Sequence, residues 1–377
     1  MNVLDVRLDN FYSFKNFHMN MTYPKRIVDS YIRDEHLEGR SNFRYKKVNI
    51  LCGANASGKT TFGRMLMNIF NFMDKKNYET ITDTISDCGK TASFEIDLAS
   101  GEYVFYHIRC DVLPCGDQKY TSEHIRLHIL KENIGIRDSY EACRKKVDKV
   151  AFSPADSYIE ELDKISGLAW MFVYPLDSDK LIIFPDKDEM FRHILENVLK
   201  ALDPAIESVG ISQDADSAYV VRIQNESVVL QKSSWNSDLF SSGTKSGVKV
   251  AHFLFSLIKR EHSFYYCDEI FSYIHSDVEK AVLSLMIDFI GPSDQLIFTT
   301  HNTDILDMNL PKHAFSFLRK DVSHEEMPIT CVEASSFLKR NTDSLRNAVE
   351  NDVFSTAPSL ELIYDLESLA AGRDEDE

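Results

Sequence analysis

Residues 53–60 read Gly-Ala-Asn-Ala-Ser-Gly-Lys-Thr, a full G-x-x-x-x-G-K-S/T loop, and no other stretch restricts the fold as tightly. Val48-Asn49-Ile50-Leu51-Cys52 runs into the loop with the composition of a buried strand. Behind it Phe62, Met65, Leu66, Ile69, Phe70 and Met73 recur at the period of an amphipathic helix. Strand, glycine-rich turn and helix are the setting in which this motif carries meaning. The glycines let successive backbone N–H groups converge on phosphate oxygens, and the helix N-terminus adds partial positive charge. In this reading Gly53, Asn55, Ala56, Ser57, Gly58, Lys59, Thr60 and Thr61 hold ATP. Lys59 reaches the β- and γ-phosphates, and the Thr60 hydroxyl ligates Mg²⁺.

The chain has 377 residues, 44% hydrophobic and 27% charged, enough for one large α/β domain or two smaller ones. No apolar run reaches the length of about 18 residues that a membrane helix needs. Met1-Asn2-Val3-Leu4-Asp5 lacks the basic and apolar regions of a secretion signal. Cys52, Cys88, Cys110, Cys115, Cys143, Cys267 and Cys331 form no C-x-x-C pair, so reduced thiols and a cytoplasmic location are expected. A net charge of −17 is the opposite of what a protein neutralising phosphates displays. The short basic clusters Arg44–Lys47, Arg144–Lys146 and Lys312–Lys320 leave a local groove open, so DNA is possible but not indicated.

Val3, Leu4, Val6 and Leu8, then Phe11, Phe14 and Phe17, predict a strand pair ahead of the loop, and residues 27–45 a polar insertion. Ser93–Leu98, Tyr103–Arg109 and His124–Leu130 have strand character, with Gly101 in the first turn. Residues 136–202 are expected to be mainly helical, broken at Pro154, Pro175 and Pro185. Strands follow over Ala218–Ile223 and Ser227–Gln231, then a helix over 244–260. Phe264–Cys267 and Gln295–Thr300 are runs of buried-strand type. Trp170, Phe172 and Tyr174 read as core or interface aromatics rather than base-stacking ones. Residues 335–370, with Phe337, Leu338, Leu345, Val349, Leu360, Leu362 and Ile363, read equally as helices docked on the head or as a partner surface. The final Gly372–Glu377 is expected to be disordered.

Three patterns follow the loop. Phe264-Tyr265-Tyr266-Cys267-Asp268-Glu269 is an apolar strand ending in two carboxylates. It would carry Asp268 to the Mg²⁺ shell and Glu269 to the attacking water, as general base. Phe240-Ser241-Ser242-Gly243-Thr244 opens a helix 25 residues (268 − 243) before Asp268, although serine and threonine favour any helix N-cap. Thr299-Thr300-His301-Asn302 follows Leu296-Ile297-Phe298. A lone histidine is more often structural, but this one ends a strand 32 residues (301 − 269) after Glu269.

In this order the patterns resemble the ABC-type ATPase head shared by SMC, RecF and break-repair proteins. They resemble still more the compact AAA/ABC-type ATPases of bacterial phage-defence operons and the OLD family. Asn10–Phe17, Leu202–Ile206, His275 and Phe298–Asp307 carry the likeness further. The resemblance implies an α/β fold with a mixed central sheet, an antiparallel β subdomain and a helical lobe. It implies a head over residues 1–335 with a β/helical insertion at about 91–235, a helical segment over 336–370 and an acidic tail over 371–377. Ser241, Ser242 and Gly243 would meet the γ-phosphate of a nucleotide held by another subunit. His301 would sense that phosphate and orient the water, making Glu269, His301 and Lys59 the catalytic set. Ser272–Ser276 would communicate across a dimer. The glutamine loop has two candidates, Gln118 and Glu123, and Ser-Ser-Gly-Thr stands where transporters carry Ser-Gly-Gly-Gln.

A signature acting in trans implies a homodimer or higher oligomer, with ATP buried between heads related by a twofold axis. The first expectation is a switch ATPase that holds or releases a nuclease or toxin effector encoded nearby in an anti-phage system, a setting that comes from the resemblance alone. The second is a RecF/SMC-like DNA-binding ATPase of repair or recombination, which the acidic balance disfavours. An OLD-type nuclease is disfavoured because 76 residues (377 − 301) follow His301. No membrane partner is expected.

Overall fold

A computed structural model of the protein describes residues 1–364 apart from 28–29, 117, 152, 154, 156, 176–181, 214–216, 233–234, 236–237, 341–342 and 358–360. The expected break at Pro154, the end of the C-terminal segment (with Leu360) and the acidic tail lie outside the described residues, as does the side chain of Leu362. The strands are β1 (Asn2–Asp9), β2 (Phe17–Asn20), β3 (His36–Leu37), β4 (Arg40–Arg44), β5 (Val48–Cys52), β6 (Ala92–Ala99), β7 (Val104–Val112) and β8 (Ile125–Asn133). They continue with β9 (Trp170–Val173), β10 (Ile206–Ile211), β11 (Tyr219–Ile223), β12 (Glu226–Leu230), β13 (Phe264–Asp268), β14 (Gln295–Thr299), β15 (Phe315–Lys320) and β16 (Ile329–Glu333). The helices used below are α1 (Lys59–Lys75), α2 (Glu79–Thr82), α3 (Tyr140–Val147), α4 (Tyr158–Leu162), α5 (Glu189–Leu202), α6 (Ser242–Lys259), α7 (Ser276–Phe289), α8 (Ala334–Phe337) and α9 (Leu345–Glu350).

The apolar runs flanking the motifs become the middle of a mixed sheet of order β16-β15-β5-β14-β13-β9, parallel except for β16. Strands covered on both faces need apolar side chains on both, which is why these runs show no polar alternation. Leu51, Phe264, Tyr266 and Ile297 face α1, while Val48, Ile50, Tyr265, Cys267, Leu296 and Phe298 join the cluster built with α6 and α7. A second, antiparallel sheet of order β2-β1-β6-β7-β8 closes over the far side of α1. Phe62, Met65, Leu66, Ile69, Phe70 and Met73 are accordingly buried between two sheets. Strand β6 pairs with β1 along its length, so residues 92–133 share a sheet with the N-terminus. A third unit packs α5 and one face of α6 on the sheet β10-β11-β12, through Phe191, Leu195, Leu199, Tyr219, Val248 and Phe255.

One local expectation is corrected. Residues 136–202 carry α3, α4 and α5, but Trp170–Val173 is an edge strand of the central sheet, parallel to β13. Four apolar residues are too few for periodicity to separate strand from helix. Trp170 and Phe172 pack on Phe70 with ring centroids 5.4 and 5.8 Å away, as core aromatics do. The polar stretch 27–45 contains the ribbon β3–β4 and buries Ile32, Leu37, Phe43 and Tyr45.

Helix α1 meets β13 at Gly63. A Cβ there would sit 2.4 Å from the ring of Tyr266, which is fully buried and donates its hydroxyl to the Lys59 carbonyl at 2.7 Å. Gly63→Ala should therefore destabilise the protein by about 1–3 kcal/mol through overpacking, despite alanine's better helix propensity. Urea denaturation measures it, and a variant as stable as the parent would mean that the ring yields.

Candidate functional site

The parallel strands β5, β13 and β14 end on the same edge of the sheet, so whatever follows each of them is delivered to one place. After β5 comes the glycine-rich loop. A Cβ on Gly53 would lie 2.4 Å from the Leu318 carbonyl oxygen of β15, so only glycine lets the chain pass there. Ala56 adopts φ 62°, one of the left-handed steps that turn neighbouring N–H groups into an anion-binding nest. Lys59, at the start of α1, is buried and folds back to donate to the carbonyls of Gly53 at 2.8 Å and Ala54 at 3.2 Å. Ser57 Oγ is buried with no hydrogen-bond partner among the described residues.

After β13 come the two carboxylates. Asp268 accepts from the hydroxyls of Thr60 and Thr299, each at 2.7 Å. Thr299 Oγ1 also accepts the Glu269 N–H at 3.1 Å, so one hydroxyl fixes both acidic residues. Glu269 is held at φ 43°, a region that non-glycine residues seldom occupy and that here throws its carboxylate over the loop. Its Oε1 lies 3.0 Å from Lys59 Nζ and its Oε2 3.9 Å from His301 Nδ1, at the end of β14. Together Ser13, Asn55–Thr61, Glu269, His301, Lys320 and Ile329 line a cleft of about 570 Å³.

The remaining expected residues stand elsewhere. Ser241 caps α6, accepting the Thr244 N–H at 3.0 Å; Ser241 and Ser242 are exposed, and neither they nor Gly243 line that cleft. They lie beside the Ser272–Ser276 segment, since a Cβ on Gly243 would be 2.9 Å from the Tyr273 carbonyl oxygen. Gln118 and Glu123 are exposed, and neither lines the cleft. His275 caps α7 by accepting the Asp277 N–H at 3.2 Å. Sequence reasoning passed over Ser13, Thr299 and Lys320. A β-branched hydroxyl closing the apolar run Leu296–Phe298 was the signal for Thr299, and Lys320 ends a basic cluster already noted.

Burial raises the carboxyl of Asp268 above its ordinary value of 3.8, against the hydrogen bonds from Thr299 and Thr60. With the folded-state value above the unfolded one, the stabilising contribution is full below about pH 3.8 and is lost as pH rises through the folded value. At neutral pH the ionised carboxylate is thus a cost that a bound cation would offset. Asp268→Asn keeps the size, and the Thr60 hydroxyl can reverse its bond to accept from the new amide while Thr299 goes on donating to the remaining oxygen. It should raise the melting temperature of the ligand-free protein at pH 7 by about 1–3 °C, and abolish any further rise on adding Mg²⁺ with ATP. Differential scanning calorimetry tests both, and a lower melting temperature would refute the account.

No protein-family model matches the chain, and no curated protein matches it in sequence. Among solved structures, an SMC head bound to the C-terminal winged-helix domain of ScpA superposes on 90% of this chain and 100% of its own, with 14% identity and a TM-score of 0.51. A Pyrococcus furiosus Smc head with an extended coiled coil, bound to the C-terminal domain of ScpA, covers 89% and 98% at 13% identity and 0.49. The recombination mediator RecF covers 88% and 98% at 8% identity and 0.42. The first likeness shows the fold: this chain has the mixed α/β architecture of an SMC head. No helix among the described residues is long and apolar enough to cross a membrane.

Proposed function

We propose that the protein is an ATPase whose complete site forms between two copies of the chain. The observation that carries this reading is a division of labour. Lys59, Thr60, Asp268, Glu269 and His301 converge on one edge of the sheet, whereas Ser241–Gly243 crown a separate helix off the cleft. The donor set fits Mg²⁺, because a threonine hydroxyl and a buried carboxylate 2.7 Å apart are hard oxygen ligands. When bound, Mg²⁺ would neutralise charge on the β- and γ-phosphates. The loop N–H groups and Lys59 would hold the phosphates in line, and Glu269 would take a proton from water that His301 orients. Ser241, Ser242 and Gly243 of a second copy would close over the γ-phosphate, so that ATP joins the heads and hydrolysis parts them.

The joining and parting would govern a protein partner, for which we retain the nuclease or toxin effector of an anti-phage system. The charge of −17 supports a protein partner over a nucleic acid. The RecF/SMC-like alternative calls for duplex DNA retained by ATP with a steep salt dependence.

Mixing two inactive variants tests the shared site. Ser242→Glu places a charge on an exposed signature position, and Lys59→Ala removes the loop cation. Each alone should be inactive. A mixed dimer regains one intact site, so an equimolar mixture should recover about a quarter of the parent rate by random pairing. No recovery would sink the two-chain site.

A further inference from the structure

Glu279, on the first turn of α7, is 3% exposed and serves none of the steps above. Its Oε1 accepts the Thr300 hydroxyl at 2.9 Å and its Oε2 accepts the Asn302 amide at 2.6 Å. These two residues flank His301. Asn302 Nδ2 also reaches Ser276 Oγ at 3.2 Å, its Oδ1 accepts the Asp304 N–H at 2.9 Å, and its own N–H donates to Thr300 Oγ1 at 3.0 Å. Ser276 Oγ in turn donates to Asp304 Oδ2 at 2.6 Å. Donors from both sides of the histidine therefore converge on one buried carboxylate, whose burial is tolerable only because they satisfy it.

The His301 side chain is 52% exposed, and among the described residues its ion pair is with Glu269, at 3.9 Å. Glu269, Ser272, Ser276, Glu279, Thr300 and His301 also border one cavity of about 280 Å³, and Asn302 links the carboxylate to Ser276, the last residue of the Ser272–Ser276 segment.

We propose that Glu279 is a positioning residue for His301, clamping Thr300–Asn302 to the first turn of α7 and tying the histidine to the Ser272–Ser276 segment. The inference rests on the ATPase reading for its catalytic consequence, not for the clamp itself. A carboxylate satisfies both partners, whereas an amide would turn a donor toward Asn302 or toward Thr300, whose oxygen already accepts the Asn302 N–H and whose own hydrogen would lose its acceptor.

Three full-length variants test it: Glu279→Ala, Glu279→Gln, and Glu279→Gln combined with Asn302→Asp. The pair exchanges donor for acceptor and keeps the Asn302 oxygen that caps Asp304. Glu279→Gln should slow ATP turnover about tenfold to a hundredfold by misplacing His301, with ATP affinity held within about twofold. The double variant should regain most of the rate. In nucleotide-free protein, the His301 ring resonances should move in Glu279→Gln and return in the double variant. Unmoved resonances with parental turnover would overturn the clamp, and so would a double variant no better than the single, which indicates packing alone. If the parent itself binds or hydrolyses no ATP, the ATPase reading falls, and the His301 resonances still decide the clamp. If Glu279→Ala does not fold, the isosteric Glu279→Gln decides.

Discussion

Glu269→Gln is expected to slow ATP hydrolysis by about 10²- to 10⁴-fold, the range a positioned general base contributes, and to make an ATP-bound dimer accumulate. Glutamine matches the shape of the side chain and can still accept from Lys59 Nζ, 3.0 Å from Oε1. The backbone that aims the residue is anchored through its N–H on Thr299 Oγ1 at 3.1 Å, which the substitution leaves alone. What is lost is the capacity to take a proton, together with the negative charge that pairs with Lys59. In the nucleotide-free protein Glu269 is paired with Lys59, the same cation that the γ-phosphate would claim. Binding ATP would therefore release the carboxylate toward the cleft when a water needs activating. Phosphate release, read beside light scattering with ATP and Mg²⁺, is the measurement. A Glu269→Gln protein that hydrolyses at the parental rate removes Glu269 from the role of base.

What could be read from the sequence divides by the range of the interaction. The loop, β5 and α1 are legible because their signals are local: apolar runs, a glycine spacing and a helical period within about 30 residues. The helix that opens after Ser241 and the strands that end before Glu269 and His301 are legible as elements, and the sheet topology then brings Asp268, Glu269 and His301 together with the loop. Strand β9 is not legible, since Trp170–Val173 becomes a strand only by pairing with Phe264–Cys267, more than 90 residues (264 − 170) away. The same holds for Thr299, whose hydroxyl matters because β13 places Asp268 beside it, and for Glu279, whose partners Thr300 and Asn302 lie just past the end of β14. Ser13 enters the cleft from the turn between β1 and β2. The resemblance to defence ATPases rests on motif wording alone, whereas the solved-structure likeness at 14% identity reaches the fold.

Lys59→Ala should weaken ATP binding by a hundredfold or more, since each hydrogen bond from a buried cation to an anionic oxygen contributes about 1.5–3 kcal/mol. The parent holds this lysine ready: 4% exposed, bonded to two loop carbonyls and paired with Glu269, its three donors stay near the phosphate position. The substitution acts on the nucleotide-free protein as well. It strips the Gly53 and Ala54 carbonyls of their donor and leaves Glu269 without its cation, at a cost of about 1–3 kcal/mol in stability. Lys59→Arg is expected to rescue that stability in part but not the affinity, because a planar fork cannot converge three donors on the space a compact ammonium fills. Calorimetric titration with ATP and urea denaturation of the same samples separate the two effects. Lys59→Ala that binds ATP within about threefold of the parent would show that the loop N–H groups alone hold the phosphates. Lys59 would then serve the resting pair with Glu269 rather than the nucleotide.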